Sequence, residues 1–253
     1  MSPHSPSPIP VESKETAHFL ACHTLPLALK NHANDAPYQA VSRATFSLLE
    51  IGGSHFFVTG DHVHEKFQEI QAHSPDAQLT AYTTIPHFTE FSGFRLVDSD
   101  SKTLDVAIFR GQEDRVEIPG RFFIPYEGSY LSDPAKNEMV CIVGYASEDV
   151  EVGEGGAALN YMQLILPISS VSDRHVVLAD ETGQRILLDE LTPEKTRIDL
   201  GGLSGSPAFV LRNLRYRFIG IVKECQERDH TILISRLGCL MSDGMIDRSQ
   251  MPY

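Results

Sequence analysis

The chain has 253 residues, 42% of them apolar, and a formal net charge of −13; that is enough for one sizeable domain or for two small ones. The acidic balance argues against nucleic acid or an anionic membrane as partner, because phosphate binding depends on Lys/Arg clusters that are absent here. No apolar run approaches the roughly 20 residues of a membrane span.

Met1 to Val11 is rich in Ser and Pro and lacks the apolar core of a secretory signal, so it reads as a disordered arm. Ala17 to Leu29 suits a short helix or an extended strap, and its Cys22 and His23 lack a second pair to complete a metal site. Ala44 to Ile51, Gly52-Gly53 and Ser54 to Thr59 predict a β-hairpin whose turn glycines accept positive φ. The hairpin leads to Gly60-Asp61-His62-Val63, and Val63, Phe67 and Ile70 predict a short helix that leaves His62 at a strand-to-helix junction. His55, His62, His64 and Asp61 offer a metal cluster as an alternative, but alternate strand positions point to opposite faces.

Leu79 to Ile85, Phe91 to Val97 and Thr103 to Phe109 predict further strands. In the last of these Asp105 stands among Leu104, Val106 and Ile108; a carboxylate set in burial needs a partner, while an acid on the polar face of an alternating strand is the plainer alternative. The acids of Asp98-Ser99-Asp100-Ser101 read as solvated turn charges. Arg110 to Lys136 is polar and irregular, a crossing segment. Met139 to Tyr145 resumes the strand pattern, and Glu148 to Gly156 reads as an acidic exposed loop. Tyr161 to Ile168, His175 to Leu178, Arg185 to Leu188, Ala208 to Leu211, Tyr216 to Val222 and Thr231 to Ile234 predict strands, Arg212 to Arg217 a solvated basic tip, and Leu237 to Met245 a terminal helix.

Within this series Gly201-Gly202-Leu203-Ser204-Gly205-Ser206 is a glycine-flanked serine that runs into the apolar stretch Pro207 to Val210. Small residues on both sides permit a sharp turn and a close approach, and Gly202 can adopt angles that aim amide N–H groups at one point. A Gly-rich hairpin with an exposed serine is the other reading. A serine hydroxyl is a weak nucleophile until a base takes its proton and a third group orients that base. His62 at its strand-to-helix junction and Asp105 in its apolar setting are the candidates for that base and that acid.

With those blocks in the order His, Asp, Ser, the chain resembles the trypsin-like (chymotrypsin-fold) serine peptidases over roughly residues 40 to 240, and Gly220-Ile221-Val222 resembles that family's strand lining the substrate cleft. The resemblance implies an all-β fold of two antiparallel six-stranded barrels with short helices. Residues 1–35 would be an arm, 36–115 the first barrel, 116–137 the crossing segment, and 138–253 the second barrel with its C-terminal helix. It implies His62 as general base, Asp105 as orienting acid, Ser204 as nucleophile, and the Gly202 and Ser204 amides as oxyanion hole, with no cofactor and no metal. Alignment back from Ser204 and forward from Gly220 puts Ile198, Asp199, Lys223, Glu224 and Cys225 around the primary pocket, which suits a small or medium apolar residue before the scissile bond.

Two departures matter. Val63 follows His62 where secreted relatives have a cysteine, and Cys22, Cys141, Cys225 and Cys239 occupy no familiar paired positions, so four reduced thiols in a cytoplasmic protein are expected. Leu203 stands where many members carry an Asp that pairs with a newly cut amino terminus, so another contact must order Gly202: an activating or sensor protein, or the protein or peptide substrate itself. The expected activity is that of a serine endopeptidase; the alternatives are a binding module or dormant protease of the same fold, and an α/β-hydrolase esterase. The esterase fits poorly because Ser206 replaces the last glycine of its elbow and its Asp and His must follow the Ser.

Overall fold

The computed structural model describes residues 14–30, 40–83, 89–126, 133–145, 150–153, 156–159, 161–179, 186–188, 202–212, 215–226 and 231–251. The arm expected at residues 1–11 lies outside them. Helix α1 (Lys14–Ala21) is followed by β1 (Thr24–Lys30), β2 (Ala40–Ile51) and β3 (Ser54–Thr59). The last two form the expected hairpin, Ser47 to Ile51 pairing with Val58 to Ser54, and its turn glycines take φ of +58° and +81°. Helix α2 (Asp61–His73) begins two residues earlier than the apolar spacing suggests, which puts His62 in its first turn.

Next come β4 (Gln78–Thr83), β5 (Thr89–Phe91), β6 (Arg95–Asp100), β7 (Val106–Arg110) and β8 (Ile124–Tyr126). The single strand expected at Phe91 to Val97 is two, separated by a bend at Gly93, whose φ is +80°. These strands curl into one open sheet in the order β5-β4-β1-β2-β3-β7-β6, with β8 parallel to the end of β2. Among the described residues the first half, expected as a closed six-stranded barrel, is a curled eight-stranded sheet. Residues 24–30 belong to its centre, between β4 and β2, and not to an arm.

The second half contains β9 (Met139–Gly144), β10 (Val150–Gly153), β11 (Gly156–Leu159), β12 (Met162–Val171), β13 (His175–Ala179), β14 (Ile186–Leu188), β15 (Pro207–Arg212), β16 (Arg215–Gln226) and β17 (Thr231–Ser235). Pairing runs β13-β17-β16-β15-β9-β12 and returns from β12 to β13, closing a six-stranded barrel. The acidic loop expected from Glu148 instead contains the two-stranded ribbon β10–β11. The terminal helix is corrected too. Leu237 to Met245 forms turns, with Gly244 at φ +83° and a bridge from Leu240 to Ile246, since the glycines at 238 and 244 weaken a helix there.

Strand alternation divides the interior into three. On β9, Val140 and Ile142 point into the barrel with Leu164, Val176 and Ile234, whereas Cys141 and Val143 face the seam between the halves. On β3, Phe56 and Val58 face that seam while Phe57 fills the concave side of the open sheet with Phe46 and Phe109. No helix among the described residues is long and apolar enough to cross a membrane.

Candidate active site

Asp105 and His62 come from the curled sheet. After β3 the chain passes through Gly60 into α2, and the ring of His62 lies so close over Gly60 that an added Cβ there would stand 2.7 Å from its Cε1. Asp105 lies just before β7 and not within a strand, at φ +53°. Asp and Asn tolerate that left-handed region better than other side chains. The turn before it is tightly tied: Asp100 Oδ1 accepts from the N–H of Thr103 and of Leu104, both at 2.7 Å. Three side chains of the barrel also hold it. His175 Nε2 and Lys223 Nζ donate to the Thr103 carbonyl at 3.0 and 3.1 Å, and the buried Ser235 hydroxyl donates to the Leu104 carbonyl.

Asp105 grips His62 at two points, Oδ1 accepting from the backbone N–H at 2.8 Å and Oδ2 from ring Nδ1 at 2.7 Å. The carboxyl side chain is 11% exposed and the imidazole 50%. With Nδ1 carrying the donated proton, Nε2 of the neutral ring is an acceptor. The hydrogen bond to Asp105 holds the His62 pKa above its ordinary value against the opposing effect of burial, and the charges of Asp105, Asp61 and Glu224 add to the rise.

The serine comes from the barrel. Gly202 and Gly205 take φ of +90° and +86°, and the Ser206 N–H donates to the Leu203 carbonyl at 2.8 Å, closing a turn around Ser204. Because a trans peptide sets N–H and C=O on opposite sides, the Ser204 N–H points away from that turn; it has no partner among the described residues. The Gly205 N–H donates to the Val222 carbonyl and the Val222 N–H to the Ser206 carbonyl, both at 2.8 Å, which fastens the loop to β16. Leu203 is fully buried in the barrel core, so the residue before the serine is an apolar anchor.

The open sheet holds this loop from the other side. Thr45 N–H donates to the Ser204 carbonyl at 3.0 Å, Thr45 Oγ1 to the Gly202 carbonyl at 3.0 Å, and Ser47 Oγ to the Gly205 carbonyl at 2.6 Å. Gly205 packs so tightly that an added Cβ would lie 2.1 Å from the Thr45 carbonyl oxygen and 2.7 Å from Thr59 Cα. The serine loop thus abuts the end of β3, three residues before His62. His62 and Asp105 are in direct contact; the half-buried Ser204 hydroxyl makes no hydrogen bond to His62 or to any other described residue.

Ile198 and Asp199 lie outside the described residues. Lys223 is bound to the Thr103 carbonyl, so its ammonium serves the acid's turn; Glu224 is exposed and Cys225 half-buried. The histidines near His62 diverge: His55 stacks on Phe123 with ring centres 3.7 Å apart, and His64 is buried against Phe109. Burial lowers the His64 pKa and raises that of the neighbouring buried Asp61. The acids at 98 and 100 are not solvated turn charges, since both lie on β6, and Asp98 binds Arg248 through both oxygens at 2.8 and 2.9 Å. At the basic tip, Arg212 pairs with Glu138.

Thr45, Ser47, His175 and Ser235 were missed from sequence. Thr45 and Ser47 did carry a faint signal, two small hydroxyl residues at alternate positions among Ala44, Phe46 and Leu48. The chain matches no protein-family model and no curated protein.

Proposed function

We propose that the chain is a serine endopeptidase of the trypsin-like kind, its curled sheet and closed barrel standing as the two halves of a chymotrypsin-like double barrel. The observation that carries the reading is the two-point grip of Asp105 on His62, which selects the tautomer with Nε2 free to accept a proton. In this reading Nε2 takes the Ser204 proton as Oγ attacks a peptide carbonyl carbon, and the displaced electron pair settles on the carbonyl oxygen. The Gly202 and Ser204 amides receive that oxyanion, each contributing about 3–4 kcal/mol to the transition state. Collapse expels the amine, protonated by His62, and leaves an acyl-enzyme. Water then attacks, giving its proton to Nε2, and Ser204 recovers its own as the acid product leaves.

The substrate is a protein or peptide, with a small or medium apolar residue before the cleaved bond. That preference rests on the alignment of Ile198 with the pocket floor and on Cys225 as a narrowing gate. Asp105 orients and stabilises the imidazolium; no cofactor enters any step.

The absence of a hydrogen bond between Ser204 and His62 favours one second reading, a dormant form closed into register by a partner or substrate, although such bonds often tighten only on binding. Comparison of new protein termini in cells expressing the wild type and Ser204→Ala tests the proposal. Cuts present only with the wild type, sharing a residue preference, support a peptidase, and identical termini in both strains contradict an autonomous one.

A further inference from the structure

We infer that Thr45 is a positioning residue for the proposed serine chemistry: through one hydroxyl it anchors the Gly202 carbonyl of the serine turn, and so helps set the direction of the Ser204 amide that would receive the oxyanion. The inference rests on the peptidase reading above and adds to it a residue of the opposite half of the molecule.

The β2–β3 ladder begins at the pair Ser47–Val58, so two residues earlier Thr45 has no partner on β3. Its N–H goes to the Ser204 carbonyl at 3.0 Å instead, and the serine turn continues the sheet where β3 has ended. Alternation puts the Thr45 side chain on the seam, while its neighbours Ala44 and Phe46 fill the sheet interior. There the hydroxyl spends its one proton on the Gly202 carbonyl at 3.0 Å and accepts the Tyr145 N–H at 3.1 Å. Both bonds are enclosed, for Thr45 is 0% exposed and Tyr145 buried.

The consequence is directional. Gly202 at φ +90° has few restraints of its own, and the orientation of its peptide follows from what its carbonyl is bound to. A carbonyl anchored on Thr45 Oγ1 fixes the 202–203 peptide, the Ser204 carbonyl anchored on Thr45 N fixes the 204–205 peptide, and Leu203 is sunk in the barrel, so the 203–204 peptide that carries the Ser204 N–H is held between two anchored neighbours. Loop order is therefore set when β2 packs on the barrel and needs no ion pair at position 203. Because valine fills the volume of threonine, Thr45→Val leaves no room for a water to stand in for the hydroxyl.

Thr45→Val keeps the shape and the strand propensity but removes the hydroxyl, and Thr45→Ser keeps the hydroxyl. On a cleavable peptide ester, Thr45→Val is expected to lower kcat about 100-fold, the scale of a misplaced reacting group, with KM within about threefold and Thr45→Ser within about threefold of wild type. Equal losses in the two variants, or an unchanged kcat in Thr45→Val while Ser204→Ala abolishes turnover, overturn the inference and leave the peptidase reading intact. Amide hydrogen exchange in the Ser204→Ala background reads the same contact without turnover. Thr45→Val is expected to speed exchange at Gly205 and Ser206 about tenfold or more, with β12 still protected. Unchanged exchange, or equal loss across β12, overturns the inference. A wild type that shows no Ser204-dependent hydrolysis overturns the peptidase reading and with it the positioning role of Thr45.

Discussion

The two halves of the molecule solve the problem of a β-sheet's edges differently. The barrel closes on itself through the β12–β13 pairing around an apolar cluster that includes Val140, Leu164, Val176 and Ile234. The curled sheet stays open, ending at β5 and β6 among the described strands, and the β6 end is covered by the chain's tail, where Asp98 takes the Ile246 N–H and the Arg248 guanidinium. The contrast carries over to the site, because each half holds the other's working segment. The serine turn of the barrel is tied by Thr45 and Ser47 of the sheet, and the acid's turn of the sheet is tied by His175, Lys223 and Ser235 of the barrel. The candidate site is thus a property of the seam, with its residues drawn from both halves.

Substitutions that strike one side of this reciprocal arrangement separate the two contributions. The largest expected effect is that of Asp105→Asn, which keeps a side chain suited to positive φ but loses the carboxylate that selects the His62 tautomer; kcat should fall about 10⁴-fold with little change in thermal midpoint. Gly205→Ala strikes the seam itself. With φ at +86° and backbone oxygen 2.1 Å from the new Cβ, it should lower stability by about 2–4 kcal/mol in urea titration, together with activity.

Asp98→Ala unfastens the open sheet's edge and should cost about 1–2 kcal/mol at neutral pH. The Arg248 hydrogen bond holds the Asp98 pKa below its ordinary value, so the contribution is full above the unfolded-state value and is lost as pH falls through the folded one. Wild type and variant should therefore converge in stability under strong acid. The smallest effect is that of Glu224→Gln. The proposed base works as neutral imidazole, so kcat/KM should rise with pH through a His62 pKa that lies above the ordinary value, in part because of the Glu224 charge. Its removal should move this limb to lower pH, a gain under about threefold at pH 6.

How far the sequence could be read depended on how local each cause was. The Gly52-Gly53 hairpin and α2 follow from turn chemistry and apolar spacing within a dozen residues; the hairpin formed where expected and the helix two residues early. Asp105 was recognised by its apolar neighbours, yet the alternation suggested a strand where Asp100 caps a turn instead. The terminal helix failed because apolar spacing over Leu237 to Met245 was outweighed by two glycines and by the distant Asp98, which holds the segment at Ile246 and Arg248. Closure of one sheet and not the other is decided by pairings far apart in the chain, and so is the Thr45 contact with Gly202, 157 residues away.

Reaction of the purified protein with a fluorophosphonate, followed by mass-spectrometric location of the adduct, tests most directly whether the seam joins a working nucleophile to its base. The account predicts a single adduct on Ser204 in the wild type, lost in His62→Ala. An unlabelled Ser204, or an adduct on any other residue, would contradict it.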